Sequence, residues 1–230
     1  MENSFGKITE LSQLQHVFHD EMTLMFGGFG GVGSPPTIID YILQKGTKKL
    51  TLIGNDTGFP HIGIGQLVAA GRANKVIASH IGSNPIAGQL MSEGKLEVEF
   101  SPQGILAERI RAGGVGIPAV LSDIGVDHPI VKQHKQQLTL KDQTYLVETA
   151  LTAEVSIVYA KLADPYGNLV YDKSARNTNP LVAMAGDITI VEVEEFVPLG
   201  SLSPEEIVTP GVFVDYLIPS EGVSWKWAWE

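Results

Sequence analysis

The sequence predicts an α/β protein built on a doubly wound, mainly parallel sheet that becomes mixed towards the C-terminal half. Three observations carry this expectation. Short apolar runs alternate with amphipathic stretches of helical period as far as Gly116; Gly, Pro, Asn and Asp punctuate the junctions; and beyond Gly116 the rhythm gives way to a hairpin pattern.

Taken in order, Thr9 to His19 reads as a helix capped by Thr9, since Ile8, Leu11, Leu14, Val17 and Phe18 recur at helical spacing. Met22-Thr-Leu-Met-Phe26 is the first strand, and a glycine-rich loop follows it. An amphipathic helix from Thr37 to Gln44 leads to a second strand, Lys49 to Ile53, which ends at Gly54-Asn-Asp-Thr-Gly58. Helices over Gly65–Ala70, Asn84–Glu93 and Gln103–Ala112 then alternate with strands over Val76–Ser79 and Leu96–Phe100, the βαβ repetition of a parallel sheet. Further on, Gln137–Leu140 and Thr144–Val147 flank Lys141-Asp-Gln143 as a hairpin, and Val155–Tyr159 is another strand. Asp164-Pro-Tyr-Gly-Asn168 is turn chemistry, Pro180–Ala185 a short helix and Ile188–Val193 a buried strand. No linker, low-complexity tract or repeat interrupts the chain, so residues 1–230 are expected to form one domain.

Composition excludes several functions. The chain has 230 residues, 43% of them hydrophobic, enough for a sizeable core. The absence of cysteine removes disulfides, thiolate zinc sites and thiol nucleophiles together, and fits the reducing cytoplasm. Met-Glu-Asn-Ser-Phe-Gly-Lys7 lacks the layout of a signal peptide, and no apolar run approaches the roughly 20 residues that span a bilayer, so no membrane role is expected. A formal net charge of −10 disfavours nucleic acid, whose binding draws on clustered Lys and Arg. His16, His19, His61, His80, His128 and His134 show no second ligand set at metal spacing, so no metal site is expected.

Chemistry concentrates first in the loop after the first strand, where five of the seven residues from Gly27 to Gly33 are glycine and Pro35-Pro36 close the run. Gly28-Phe-Gly30-Gly-Val-Gly33 satisfies G-x-G-x-x-G. In a dinucleotide-binding unit that pattern brings a pyrophosphate to a helix N-terminus, while an acid at the end of the second strand, here near Asp56, takes the ribose hydroxyls. Against this, the tandem prolines remove two N–H donors where a pyrophosphate needs them. An NAD-binding Rossmann-type dehydrogenase domain, a stand-alone ligand-binding module and a loop that merely turns a corner all stay open at this point. A P-loop does not, because no Gly-Lys-Ser or Gly-Lys-Thr follows.

Asp20-Glu-Met-Thr-Leu-Met-Phe-Gly-Gly-Phe-Gly-Gly-Val-Gly-Ser-Pro35 resembles the glycine-rich signature of the class I CoA-transferases. It departs only at Glu21, where the family usually has Gly or Asn. Other stretches agree in family order: Leu52–Gly58, Ala69–Arg72, Ile81–Pro85, Pro102–Gly116, Gly167–Tyr171, Ser174–Pro180 and Val208–Val212. The resemblance covers nearly the whole chain and is nearest to the A (α) subunit of bacterial acetate or acetoacetate CoA-transferases. It implies a fold of the CoA-transferase and sugar-phosphate-isomerase type, with isomerase activity disfavoured because no acid or lysine base stands in the recognisable motifs. It also implies exchange of coenzyme A between a short-chain acyl-CoA and a carboxylic acid by a ping-pong route. The nucleophile of that route is a glutamate of the B (β) subunit in a Ser-Glu-Asn-Gly setting. Coenzyme A is then a substrate and a covalent glutamyl-CoA intermediate on the partner, with no permanently bound cofactor, and the common assembly is an A2B2 heterotetramer.

In this chain only Ser92-Glu-Gly94 and Ser220-Glu-Gly222 approach that setting, and neither has the Asn, so no catalytic nucleophile is expected here. Gly27, Gly28, Phe29, Gly30, Gly31, Val32 and Gly33 are expected to bind the CoA thiol end and to offer backbone N–H groups to an oxyanion. Asn55 and Gln103, at strand-end loops, are expected to contact substrate or oxyanion. Glu108, Arg109 and Arg111 are expected to form solvated or interface ion pairs. Trp225, Trp227 and Trp229 fall on one face of an extended tail that packs either on this domain or on a partner.

Overall fold

The computed structural model describes residues 3–223, 225 and 226. Of the tryptophan stripe, Trp227 and Trp229 lie outside the described residues. Strands β1 (Thr23–Phe26), β2 (Leu50–Ile53), β3 (Ala73–Ala78) and β4 (Glu97–Phe100) alternate with helices α1 (Pro36–Lys45), α2 (Gly65–Ala69), α3 (Pro85–Ser92) and α4 (Gln103–Gly114). There follow β5 (Ala119–Ser122), α5 (Pro129–Lys132), β6 (Gln137–Leu140), β7 (Gln143–Thr149), β8 (Ala153–Ala163), β9 (Leu169–Val170), α6 (Asn179–Met184), β10 (Gly186–Phe196) and β11 (Tyr216–Pro219).

The main sheet has eight strands in the order β11-β10-β8-β1-β2-β3-β4, with β9 beside β8. Every pairing is parallel except β8–β9. The expected mixing is therefore confined to β9, while the predicted hairpin joins a separate antiparallel sheet of order β5-β7-β6. The hairpin turn is Lys141–Asp142, both at positive φ (47° and 64°), the two-residue geometry whose twist suits an antiparallel pair. Gln143 is then the first residue of β7, opposite Leu140.

Because side chains alternate across a strand, β1 sends Leu24 and Phe26 to one face and Met25 to the other. The first face packs with Ile38, Ile39 and Ile42 of α1, Leu67 of α2 and Ala87 of α3. The second packs with Leu106 and Ile110 of α4 and Val182 and Ala183 of α6. Helices thus cover both faces, and the winding direction reverses between β1 and β8. That is the switch point at which open α/β sheets bind ligands, at the carboxyl ends of the strands.

Several expectations are corrected. Thr9–His19 is not an α-helix: Leu11–Leu14 forms one 3-10 turn and Val17 N–H donates to Leu14 O. Leu11, Leu14 and Val17 recur every third residue, the eclipsed spacing of that tighter helix, and are buried. Thr9 does not cap it, because its N–H donates to Leu217 O of β11 and Leu217 N–H to Lys7 O, so this segment covers the outer edge of β11. At the opposite edge β4 carries Glu97 and Glu99, both paired with Lys75. Arg109 is not solvated: it is 3% exposed, its Nη1 lies 2.9 Å from Glu99 Oε1, and its Nε donates to Thr149 O at 2.8 Å, tying α4 to both sheets. Glu99 is half-buried, yet Arg109 and Lys75 hold its carboxyl below the ordinary range. Glu108 and Arg111 form the exposed i,i+3 pair expected of them. Strands β5 and β11 escaped the sequence reading, being four-residue segments beside prolines.

Helix α1 starts without a capping side chain of its own, since Pro35 stands at its N-cap. A carboxylate from β10 does the work instead. Glu192, fully buried, accepts from Thr37 Oγ1 at 2.7 Å, from Ile38 N–H at 3.2 Å and from Ser220 Oγ at 2.5 Å. Burial nonetheless pushes its pKa up to about 7. Between the ordinary glutamate range and about pH 7 the folded protein holds a proton that the unfolded chain releases. The stability contributed by this group is therefore full at low pH, falls as pH rises through the window, and levels off above it, by about 3 kcal/mol in all. Urea midpoints of wild type and Glu192→Gln, measured from pH 4.5 to 8, are expected to show the wild-type advantage shrinking towards pH 7. A difference that is flat or grows with pH would refute this account.

Candidate functional site

The chain leaves β1 at Phe26 and enters the loop Gly27–Gly33, at the switch point of the sheet. Gly27 N–H continues the ladder to Ile157 O of β8 at 2.9 Å. Phe29 and Val32 then exchange both of their backbone hydrogen bonds at 3.0 Å, pinching the loop into a small turn. The turn is walled on one side by Asn177 and by Asn179, the first residue of α6. Asn177 Oδ1 accepts from Gly28 N–H at 3.1 Å and its Nδ2 donates to Val32 O at 2.8 Å. Asn179 Nδ2 donates to Gly33 O and Ala175 O at 2.9 Å, and its Oδ1 accepts from Tyr159 N–H of β8 at 3.1 Å.

Glycine is required here by space as well as by conformation. A Cβ on Gly27 would lie 1.7 Å from Asn179 Oδ1; one on Gly28, at φ 117°, would lie 2.1 Å from Ser34 Oγ. With these contacts made, the N–H groups of Gly31 and Gly33 have no intramolecular partner among the described residues. Phe29 at the tip is 51% exposed.

The loop after β2 repeats the design. Gly58-Phe-Pro-His-Ile-Gly63 matches Gly28-Phe-Gly-Gly-Val-Gly33 in its two glycines, its Phe and its branched aliphatic residue, and Phe59 pairs with Ile62 as Phe29 does with Val32. The two loops touch: a Cβ on Gly63 would be 3.4 Å from Gly31 Cα, and one on Gly30 would be 3.8 Å from the Phe59 ring. So although no domain-scale repeat exists, a six-residue repeat does, and its pattern was present in the sequence. Asp56 lies between the two loops, 2% exposed. Its Oδ2 accepts from Gly30 N–H at 2.9 Å and from Asn55 Nδ2 at 2.6 Å, and its Oδ1 from Gly58 N–H at 2.6 Å.

The predicted residues therefore separate into two places. Gly27–Gly33 and Asn55 come together, but Asn55 is 1% exposed and its amide is held by Asp56, so it shapes the loops rather than facing solvent. Gln103 is exposed at the start of α4, on the same carboxyl edge but three strands from β1, or about 14 Å at the usual strand spacing. Sequence reasoning gave no role to Asn177 and Asn179, although both fall in a stretch it had singled out.

Both requirements of a dinucleotide site are taken up internally. The α1 N-terminus holds Glu192, and Asp56 is buried against three N–H donors. Of the two Ser-Glu-Gly segments, Glu93 is the exposed C-cap of α3, paired with Lys95 at the amino end of the sheet. Lys95 holds the Glu93 carboxyl below the ordinary range. Glu221 is exposed beyond β11, with its N–H on Thr37 Oγ1. Among the described residues no group of three or more His, Asp or Glu is placed to hold a metal ion, and no helix is long and apolar enough to cross a membrane.

Comparison with known proteins is consistent across sequence and fold. Residues 11–220 match the family described as Coenzyme A transferase. A probable coenzyme A transferase subunit alpha of Bacillus subtilis is 58% identical over 92% of this chain and 92% of that protein. The acetate CoA-transferase subunit alpha of Escherichia coli K12 is 46% identical over 94% and 97%. Among solved structures, an acyl-CoA transferase of E. coli O157:H7 in a thioester complex with CoA superposes with a TM-score of 0.83 at 22% identity. It is covered over 93% of this chain, which spans about half (47%) of that longer chain. Glutaconate coenzyme A-transferase of Acidaminococcus fermentans gives 0.80 at 17% identity, covering 93% and 75%.

Gly27 and Asn179 are expected to be energetically inseparable. Gly27→Ala should cost about 2–3 kcal/mol, since the new methyl evicts the Asn179 amide, and Asn179→Ala should cost a similar amount through its lost backbone contacts. The double variant should fall short of the sum by at least about 1 kcal/mol in urea unfolding. Strict additivity would show that the close approach does not constrain the loop.

Proposed function

The chain belongs to the coenzyme A transferase family, and we propose that it is the α (A) subunit of a two-chain enzyme that moves CoA from a short-chain acyl-CoA to a free carboxylic acid. One observation carries the reading. At the switch point of the sheet stands a wall without side chains, Gly27–Gly33, that keeps the Gly31 and Gly33 N–H groups unpartnered and has no glutamate on it. Such a wall suits the electrophilic half of an acyl-transfer site, and the nucleophile then comes from the β (B) subunit.

The chemistry follows as a ping-pong exchange. A partner carboxylate attacks the thioester carbonyl and releases CoA thiolate, leaving an acyl-glutamyl anhydride. The thiolate attacks the glutamyl carbonyl, frees the acyl group as its acid and leaves a glutamyl-CoA thioester; the acceptor carboxylate then runs the same steps in reverse. Each step passes through a tetrahedral oxyanion, to which the free N–H groups of the loop donate, and removing one such donor typically costs about 10²–10³ in rate. Gln103, exposed about 14 Å along the same edge, reaches a more distant part of the substrate, while Asn55 acts through the loops it braces. Acyl groups of acetyl, acetoacetyl or butyryl type fit this reading, discriminated by a pocket shared with the partner and worth roughly 1 kcal/mol per methylene. The family's curated relatives named as subunits support a hetero-oligomer, for which we propose A2B2 with residues 1–230 as one α-subunit domain, working in the cytoplasm with coenzyme A as substrate and no resident cofactor.

The chain alone is expected to transfer no CoA. Assembled with its partner subunit and incubated with acetyl-CoA or acetoacetyl-CoA, then treated with borohydride, the complex should carry the reduced glutamate on the other polypeptide, as peptide mass analysis would locate. Reduction at Glu93, Glu108 or Glu221, or steady turnover by this chain alone, would sink the assignment. Gly28→Val should lower kcat of the assembled enzyme at least about 100-fold.

A further inference from the structure

We propose that Asp56 is a positioning residue for CoA transfer, and that the loop Gly58–Gly63 is the second wall of the site rather than a neighbouring turn. The inference rests on the functional reading above and deepens it. Three N–H donors converge on one buried carboxylate, from Gly30 in the first loop, Gly58 in the second and the Asn55 amide between them. An acidic side chain spent wholly on backbone and amide groups gains nothing for the core, and Phe29 at the tip of the first loop stays exposed while Ile62 of the second is buried. What the carboxylate does is select. It takes up the Gly30 N–H, the Phe29–Val32 pair takes up two more, Asn177 takes the Gly28 N–H, and the Gly31 and Gly33 N–H groups remain for a ligand. The same carboxylate holds the two copies of the six-residue pattern in contact, Gly63 against Gly31 and Phe59 against Gly30, so the second loop backs the residues that carry the free donors. Without Asp56 the Gly30 N–H would be a third free donor, the two loops would lose their common anchor, and the direction of the Gly31 and Gly33 N–H groups would no longer be set before substrate arrives.

The test uses the assembled two-chain enzyme, with steady-state kinetics for acyl-CoA and acid and the thermal midpoint of each variant. Asp56→Ala is expected to lower kcat about 100-fold while KM for acyl-CoA stays within about threefold, and Asp56→Asn, which keeps one acceptor oxygen, to lose only about tenfold. A kcat per folded complex within threefold of wild type for Asp56→Ala would overturn the proposal, as would KM and kcat changes that merely track the folded fraction. Where the alanine variant does not assemble, hydrogen exchange in the wild-type complex decides. With ¹⁵N-glycine label, the Gly30 and Gly58 amides should be protected throughout, while those of Gly31 and Gly33 should exchange quickly in the free complex and slow once acetyl-CoA has charged it. Equal exchange of Gly31 and Gly33 in the two states would overturn it. A wild-type complex that transfers no CoA refutes the functional reading itself, an outcome distinct from active wild type with an unimpaired Asp56→Ala.

Discussion

The arrangement depends on a close approach of backbone to side chain at the end of one strand. β1 lies between β8 and β2 and is buried on both faces, so at its carboxyl end the chain emerges where the winding of the sheet reverses. There the Asn179 amide, anchored to β8 through Tyr159 N–H, occupies the volume that any side chain at position 27 would need. The glycine loop is therefore clamped: its entry is fixed to β8, its far end to Asn177 and Asn179, and its middle to Asp56. Glycine-rich segments in water lose more conformational freedom on ordering than any others, and these hydrogen bonds are what hold this one in a single shape.

Two buried carboxylates divide the local backbone donors between structure and chemistry. Glu192 takes the α1 N-terminus, where the positive end of the helix would otherwise attract a phosphate, and Asp56 takes one donor from each strand-end loop. With those positions filled, Gly31 and Gly33 are the residues of the first loop whose N–H groups have no partner among the described residues. A glycine run that satisfies a nucleotide-binding pattern thus has the donors of that pattern taken up internally, by residues far away in sequence.

How much of this could be read in advance depends on whether the determinant is local. The β1–α1–β2–α2–β3–α3–β4–α4 succession was legible because each apolar run sits between Gly, Pro or Asn breaks, as with Asn84, whose side chain does cap α3 through Ala87 N–H. The first turn was misread because Leu11, Leu14 and Val17 satisfy a three-residue period as well as a helical one, and only docking against β11 decides between them. At the candidate site, the glycines and Asn55 were singled out from pattern and resemblance, whereas the bracing of Gly30 by Asp56 and of the glycine loop by Asn177 and Asn179 rests on contacts across 26 to 149 residues that no local pattern specifies. The second copy of the Gly-Phe-x-x-aliphatic-Gly pattern was available in the letters and acquires meaning only when strand order makes the two loops neighbours.

The margins of the main sheet bear on how such a chain can join another. On one side the β11 backbone is already occupied by Lys7 and Thr9; on the other, β4 is four residues long and presents Glu97 and Glu99 beside Lys75. A foreign strand would find no free ladder at the first and only a short, charged one at the second. Growth of the main sheet from molecule to molecule is thereby discouraged, and association on this layer runs through its loops and helices. Quaternary contacts of that kind leave the carboxyl edge of the sheet accessible, so that an incoming polypeptide can face the glycine wall head-on instead of burying it beneath a continuous β-structure.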